Sequence, residues 1–244
     1  MISSRPLVGI GLGGICEGWM APVLLFHETG LVPFSTILLV DGKGFRSSNR
    51  SRQYFNKEAN KAVERCRNWR ELYPKAPLRH RAQYIDHSNV AEIIPEDAIV
   101  LLSPDNYATR KLVSDHMETL HNSLLICGGN DGISVEEKND GTEGAVVVHY
   151  KIEGRNITPP LTAYHEVIRH PPDKLPTDVG CVEQAQAGHP QLLATNLMVG
   201  AAMAEVLYRY CTMPSEEACQ VVEIWLNSRT GERSLYGPKE RPIT

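Results

Sequence analysis

Paired cysteine and histidine motifs are missing from this chain of 244 residues. None of the six cysteines forms a CxxC pair, so the sequence predicts no zinc site of the ribbon type. The nine histidines contain no HExxH motif, which argues against a histidine metal site. No secretory signal precedes the first apolar run, so we expect reduced thiols and a cytoplasmic protein.

Long apolar runs and an excess of charge are missing as well. The longest apolar run, residues 19–26, is too short to cross a bilayer and contains Pro22. The net charge is −4 and the isoelectric point is about 6.1, so we expect neither a membrane nor a nucleic-acid partner. With 42% hydrophobic and 22% charged residues, the composition is typical of a globular protein. We predict a single domain over residues 1–244.

The first half of the chain alternates apolar, strand-like runs with helical segments. The predicted strands are residues 6–11, 36–40, 82–86, 97–103 and 123–129, and the predicted helices are residues 14–29, 58–72 and 103–121. Pro22 is typical of a first turn or a kink, which favours an extended start to the first helical segment. Ser103 as N-cap and Pro104 at the first helical position mark the start of the last one. The alternation predicts an α/β fold: a doubly wound, Rossmann-like, mostly parallel sheet with helices on both faces.

The second half is less regular. Residues 131–190 contain one predicted strand, 145–154, and a proline-rich irregular stretch. The helix predicted at 191–211 is rich in small residues, which indicates close packing against another helix, in this chain or in a second subunit. A closing β-hairpin is predicted within 191–244, where SRTG joins two apolar runs. The chain thus divides into a sheet core (1–130), an irregular region (131–190) and a helix with a hairpin (191–244).

A glycine-rich segment, GIGLGGICEG, lies between the first strand and the first helix. Gly11, Gly13 and Gly14 allow backbone N–H groups to approach phosphate oxygens, at a helix start that favours anions. A tight turn without a ligand is the alternative. No GK[ST] follows, so the segment is not a P-loop.

Polar residues follow the second and fourth strands. Asp41 ends the second strand, where an acid holds ribose hydroxyls in nucleotide-binding folds, although a turn aspartate is equally common there. Several cations follow Asp41 closely. Arg52 and Lys61 could offset the negative charge of a triphosphate, whereas a dinucleotide dehydrogenase needs no such series of cations after its second strand. Asp105, after the fourth strand, is a candidate Mg²⁺ ligand, with helix capping beside Ser103 as the alternative.

Together these residues resemble the ThiF/MoeB-like adenylyltransferases, relatives of ubiquitin-activating enzymes. Asp41 and residues 47–53 look like the family's D…SNLNRQ block, and Lys61 looks like its GxxKA lysine. Residues 103–116 are similar to the family's C-[TS]-D-N-x-x-[TA]-R segment, and 124–129 match the strand that follows. The resemblance covers about residues 7–129, so the chain is identified as a divergent member.

The resemblance implies an enzyme that activates the C-terminal carboxylate of a small ubiquitin-like or sulfur-carrier protein ending in glycine. ATP would react with that carboxylate to form an acyl adenylate. Asp41 would hold the ribose, and Asp105 would bind Mg²⁺. The residues implied around the phosphates are Asn49, Arg52, Gln53 and Lys61. A homodimer is implied as well.

Departures from the family pattern concern the same region. Lys43 stands where a second acid is usual, and the glycine loop reads GxGGxC. Cys181 occupies roughly the place of the family's conjugating or sulfur-accepting thiol, and a helix-entry cysteine without reactivity is its alternative. Core or packing positions are expected for Cys16, Cys66, Cys127 and Cys211. The cations at 65–81 are expected on a solvated helix face and loop, with a partner or nucleic-acid surface as the alternative.

Three functions therefore compete. The first is the adenylyltransferase, with possible transfer of the acyl group to Cys181. The second is a non-catalytic, ATP-binding scaffold of the same fold. The third is a nicotinamide-dependent oxidoreductase, which leaves Arg52, Lys61 and Asp105 without a common purpose.

Overall fold

The computed structural model describes residues 4–50, 53–55, 58–134, 138–179 and 190–237. The strands in these residues, in chain order, are β1 Arg5–Ile10, β2 Phe34–Val40, β3 Leu78–Arg81, β4 Ile99–Leu102, β5 Ser123–Asn130, β6 Ile133–Ser134, β7 Asn139–Asp140, β8 Glu143–Ile152, β9 Arg155–Asn156, β10 Glu223–Asn227 and β11 Arg233–Tyr236. One sheet has the order β11-β10-β8-β5-β4-β1-β2-β3, with β9 attached to β8. Strands β6 and β7 pair separately.

The sheet has a parallel part and an antiparallel part. Strands β3, β2, β1, β4 and β5 are parallel neighbours, and β8, β10 and β11 extend the sheet in antiparallel pairing. The strand order reverses between β1 and β4, which is where open α/β sheets bind ligands at their carboxyl edge. The predicted doubly wound fold is confirmed, and so is the closing hairpin.

Helices cover both faces of the sheet. In the described residues they are α1 Cys16–Glu28, α2 Lys61–Leu72, α3 Val90–Ile93, α4 Tyr107–Thr119, α5 Leu161–Tyr164, α6 Glu166–Arg169, α7 Leu193–Thr212 and α8 Ser215–Ala218, with 3₁₀ turns at Ser47–Asn49 and Pro176–Asp178. Because alternate residues of a strand point to opposite faces, Leu7 and Val8 of β1 enter different core clusters. Leu7 packs in the cluster of α1 and α7, and Val8 in that of α4.

Three local predictions are wrong. Residues 82–86 are not a strand; the third strand is β3, because Leu78 is the buried residue that pairs with Ile37 of β2. Helix α1 begins at Cys16 and contains Pro22, so no extended segment precedes the proline. Helix α4 begins at Tyr107, later than predicted from the Ser-Pro pair.

The late start of α4 has a visible cause. The Asp173 carboxylate accepts hydrogen bonds from the backbone N–H groups of Tyr107 and Ala108, at 2.8 and 2.7 Å. A distant residue therefore caps this helix. The hydroxyl of Ser103 is engaged elsewhere, since it donates to the carbonyl oxygen of Gly11 at 2.8 Å.

The small residues of α7 pack against α1 of the same chain. A Cβ added to Gly200 would lie 2.7 Å from the Cα of Gly18 and 2.3 Å from the carbonyl oxygen of Ile15. Close helix packing is thus confirmed and lies within the chain, while the homodimer stays a prediction. The division of 1–244 into three regions of one domain stays a prediction too. Within the described residues, no helix is both long and apolar enough to cross a membrane.

Candidate functional site

The candidate site lies at the carboxyl edge of the sheet, where the neighbouring strands β1, β2 and β4 end. Gly11 links the ends of these three strands. Its N–H donates to the carbonyl oxygen of Val40 at 3.2 Å, and its own carbonyl oxygen accepts from the hydroxyl of Ser103. Its φ is +81°, and an added Cβ would lie 2.5 Å from the nitrogen of Pro104. Glycine is therefore required here by the backbone crossing itself, with or without a ligand.

Asp41 holds the glycine loop against β2. One carboxylate oxygen accepts from the N–H of Leu12 at 2.8 Å, and the other from the N–H of Lys43 at 2.7 Å. Burial raises the pKa of Asp41, and the charge of Lys61 and the two backbone donors oppose that rise. Each carboxylate oxygen can accept a further hydrogen bond. The ribose role of Asp41 therefore stays a prediction beside a structural role that is observed.

Lys61 begins helix α2 and lies beneath the same edge. Asn60 caps the helix, since its side-chain oxygen accepts from the N–H groups of Ala62 and Val63 at 2.9 and 3.3 Å. Lys61 is only 6% exposed. Burial lowers the pKa of its ammonium, and the negative charge of Asp41 partly opposes that shift. Lys61 thus lies within electrostatic reach of Asp41, whose carboxylate holds the glycine loop at Leu12.

Asp105 faces Lys43 across the edge. The Lys43 ammonium donates to the Asp105 carboxylate at 2.7 Å, and the two side chains are 30% and 50% exposed. Burial disfavours ionised Asp105, but the charge and hydrogen bond of Lys43 outweigh it and lower its pKa. Burial likewise disfavours charged Lys43, and Asp105 reverses the effect and raises its pKa. The pair is a fixed local arrangement of opposite charges.

The donor set around Asp105 does not fit a metal ion held by the protein alone. Its carboxylate is paired with the ammonium of Lys43, which would have to move before a metal could bind there. The described part of the chain contains no cluster of three His, Cys, Asp or Glu side chains suited to a metal. Mg²⁺ binding by Asp105 stays a prediction.

Gln53 and Asn49 occupy different surroundings. Gln53 is 5% exposed, and its side-chain oxygen has no hydrogen-bond partner within the described ranges. Its amide nitrogen lies 3.9 Å from where a Cβ on Gly13 would stand, so it adjoins the glycine loop, and its phosphate role stays a prediction. The side-chain oxygen of Asn49 accepts from the N–H of Arg46 at 3.2 Å and closes the local 3₁₀ turn. At the other end of the glycine loop, the carbonyl oxygen of Gly14 accepts a hydrogen bond from the backbone N–H of Glu17 at 3.1 Å, in the turn that leads into α1.

Arg65 is the residue that sequence reasoning misplaced. The solvated face predicted for 65–81 is wrong at this position, because Arg65 is 2% exposed and paired with Glu17. Its guanidinium also donates to the carbonyl oxygens of Leu12 and Gly13, both at 3.4 Å. Arg65 follows Lys61 by one helical turn, so helix periodicity would have placed both on the same face.

Glu17 connects the Arg65 ion pair to the loop that follows β2. Its carboxylate accepts from the N–H of Tyr54 at 2.8 Å while it binds Arg65. The segment that carries Gln53 is thereby held against the start of α1. The guanidinium of Arg65 also lies 4.6 Å from the ring centroid of Phe55.

Two predicted catalytic residues, Arg52 and Cys181, lie outside the described residues. Among the other cysteines, the core positions predicted for Cys16, Cys66 and Cys127 are confirmed. Burial raises the pKa of the Cys16 thiol to about 12, which keeps it protonated at neutral pH. Burial and a raised pKa do not suit a nucleophile, although Cys16 adjoins the glycine loop.

The sequence matches no protein-family model and no curated protein. Among solved structures, E. coli MccB with MccA-N7isoASN matches with a TM-score of 0.69 and 16% identity over 99% of this chain and 66% of that chain. E. coli MccB with ATP matches with a TM-score of 0.67, 15% identity and the same coverage. Selenomethionine PaaA matches with a TM-score of 0.63 and 12% identity over 96% of this chain and 64% of that chain.

These likenesses concern the fold. This chain spans just under two thirds of the length of the MccB structures that it matches, and its identity to them is low. Because these likenesses cover 99% of this chain, they include its parallel sheet.

Proposed function

We propose that the chain is a divergent ThiF/MoeB-like adenylyltransferase. It uses ATP to activate the C-terminal carboxylate of a small partner protein, ubiquitin-like or sulfur-carrying, that ends in glycine. The observation that carries the proposal is the buried Lys61 beside Asp41 and the glycine loop, at the point where the strand order reverses.

Lys61 argues for a phosphate-bearing ligand. A buried ammonium with a lowered pKa is costly unless an anion compensates its charge. The carboxylates of Asp41 and Asp105 raise its pKa, but burial and the nearby charges of Lys43 and Arg65 outweigh them, so the pKa stays lowered. A triphosphate at this edge would add negative charge that favours the protonated ammonium. An uncharged ligand would not.

The solved neighbours support the same chemistry. MccB has been crystallised with ATP, and also with AMPCPP together with MccA. The corresponding proposal for this chain is that a nucleotide and a second molecule, which bears the reacting carboxylate, bind to one site.

The proposed reaction is a displacement at the α-phosphorus of ATP. A carboxylate oxygen of the partner forms the new P–O bond, the bond to the β-phosphate bridge breaks, and pyrophosphate leaves with the electron pair. The product is an acyl adenylate. In this proposal Asp41 holds the ribose, backbone N–H groups of the glycine loop and Gln53 line the phosphates, and Lys61 offsets charge that develops on them. Asn49, Arg52 and transfer to Cys181 stay predictions from the sequence.

A non-catalytic scaffold is the second candidate, because the Lys43–Asp105 pair neutralises the carboxylate that the resemblance assigns to metal. The enzyme would catalyse exchange of pyrophosphate into ATP, whereas the scaffold would bind ATP without catalysing it. Incorporation of labelled pyrophosphate into ATP, dependent on a partner ending in glycine, supports the enzyme.

The exchange assay has a matched control within the chain. Lys61→Met removes the buried ammonium and keeps its length, whereas Lys75→Met removes an exposed one in the turn after α2. We expect the first variant to lose exchange by at least about 100-fold, within the range known for charge stabilisation in transition states, and the second to retain it. ATP binding without exchange in the presence of the cognate partner would favour the scaffold.

A further inference from the structure

The Lys43–Asp105 pair is the feature of the site that the proposed reaction does not use. Lys43 follows β2 and Asp105 follows β4, so the contact crosses the carboxyl edge directly above β1. The N–H of Lys43 is also bound by Asp41, which fixes the backbone that carries the side chain. The ammonium is therefore positioned from both ends, by Asp41 at the backbone and by Asp105 at the tip.

The ammonium retains donor capacity beyond this pair. A lysine has three N–H donors, and the structure records one side-chain hydrogen bond of Lys43 to the described residues, the one to Asp105. The side chain is 30% exposed, so Asp105 and the surrounding chain do not enclose it fully. The charge of Lys43 also lowers the pKa of Lys61, so the two cations lie close enough to act on the same anionic ligand.

A divalent metal could bind Asp105 only by replacing the ammonium of Lys43, and that replacement is unfavourable. The metal would have to displace the ammonium from the carboxylate, and the displaced charge would then stand beside both the metal and Lys61. An ammonium that stays in place keeps its carboxylate partner, and no further cation is added beside Lys61. It can also donate to a carboxylate and to a phosphate oxygen at once, which is the bridging geometry that a metal would otherwise provide.

We propose that Lys43, oriented by Asp105, is the cation that meets the nucleotide's phosphates in this chain, in place of a metal ion at Asp105. Asp105 is then a positioning residue and not a metal ligand. The inference rests on the proposed function, because it assumes that the ligand of this edge is a nucleoside triphosphate.

Equilibrium binding of ATP, measured by titration calorimetry with EDTA and again with excess Mg²⁺, tests the inference. We expect the wild-type protein to bind metal-free ATP within about threefold of its affinity for the magnesium complex. Lys43→Met removes one charge-assisted contact and should weaken binding of metal-free ATP by at least about tenfold. Lys43→Arg should retain most of the affinity.

A matched control is available on helix α4, where Lys111 and Asp115 form another exposed ion pair. Lys111→Met should leave ATP affinity unchanged in both conditions. Thermal unfolding of every variant checks that an altered affinity does not reflect a loss of folded protein.

Asp105→Asn separates positioning from metal binding. It removes the partner of Lys43 and should weaken metal-free ATP and the magnesium complex by similar factors of about threefold, because the ammonium loses its orientation but remains. A metal ligand would behave differently. Its loss would weaken only the magnesium complex.

The outcomes distinguish this inference from the proposed function. Wild-type binding that falls at least tenfold in EDTA, or a Lys43→Met variant that binds metal-free ATP as the wild type does, would overturn the inference and leave the ATP site standing. Absence of ATP binding in both conditions would overturn the proposed function, and the inference with it.

Discussion

Arg65 and Glu17 form a buried, two-point ion pair that joins helix α2 to helix α1 beneath the glycine loop. The two contacts measure 2.5 and 3.2 Å, and the side chains are 3% and 5% exposed. Because Arg65 also donates to the carbonyls of Leu12 and Gly13 and Glu17 also accepts from Tyr54, the pair connects both helices with the glycine loop and the segment that carries Gln53.

Removing one partner of this pair should destabilise the fold strongly. Arg65→Met leaves the Glu17 carboxylate buried without its cation, which costs about 3–5 kcal/mol. Urea unfolding measures the loss. Arg81→Met is the control, because its pair with Glu92 is exposed and contributes at most about 1 kcal/mol. Equal losses for the two variants would contradict the assigned role of Arg65.

Gly11→Ala tests whether backbone crossing, and not a ligand, requires the first glycine. The substitution combines a positive φ with a Cβ 2.5 Å from the nitrogen of Pro104. Gly30 is a matched control, since its φ is +72° but an added Cβ meets nothing within 4 Å. We expect Gly30→Ala to cost about 1–2 kcal/mol from φ strain alone, and Gly11→Ala to cost clearly more. Similar free energies of unfolding would show that the crossing does not constrain Gly11.

Gly200→Ala tests the helix contact between α7 and α1. The added methyl would lie 2.3 Å from the carbonyl oxygen of Ile15, so the helices must separate. Overpacking of this kind costs about 1–3 kcal/mol. Ala201→Ser, at the neighbouring exposed position, should change the unfolding free energy by less than about 0.5 kcal/mol. A neutral Gly200→Ala would mean that the close packing lies elsewhere.

The pKa of Lys61 predicts a pH dependence of stability with a definite sign. Burial lowers the folded-state pKa below 10.5, so between the two values the unfolded chain binds more protons than the folded one. The penalty for burying this cation is complete below the folded pKa and fades as pH rises through it. The wild type should therefore gain stability relative to Lys61→Met as the pH rises toward 10.5. Urea unfolding at several pH values measures this difference, and a gain toward acid pH would contradict it.

Sequence patterns predicted the sheet well, because buried parallel strands such as β4 are continuous apolar runs between polar loops. They failed at β3, which reads LRHR: only Leu78 is buried, so no apolar run reveals this edge strand. They failed again at α4, since its cap, Asp173, lies far along the chain. Long-range capping leaves no local signal.

The candidate site was predictable in part for the same reason. Asp41, Lys61 and Asp105 lie at strand or helix ends, which a correct element order brings to one edge. The partner of each side chain was not predictable, because Lys43 reaches Asp105 across two loops and Arg65 reaches Glu17 between two helices. Such contacts depend on loop geometry that periodicity does not determine.

The central claim is that a nucleoside triphosphate binds at Lys61, and equilibrium binding of ATP and NADH in parallel tests it most directly. The account predicts that the wild type and Lys75→Met bind ATP alike, that Lys61→Met binds it at least about tenfold more weakly, and that NADH binds none of them tightly. Tight binding of NADH without ATP, or undiminished ATP binding by Lys61→Met, would contradict the account.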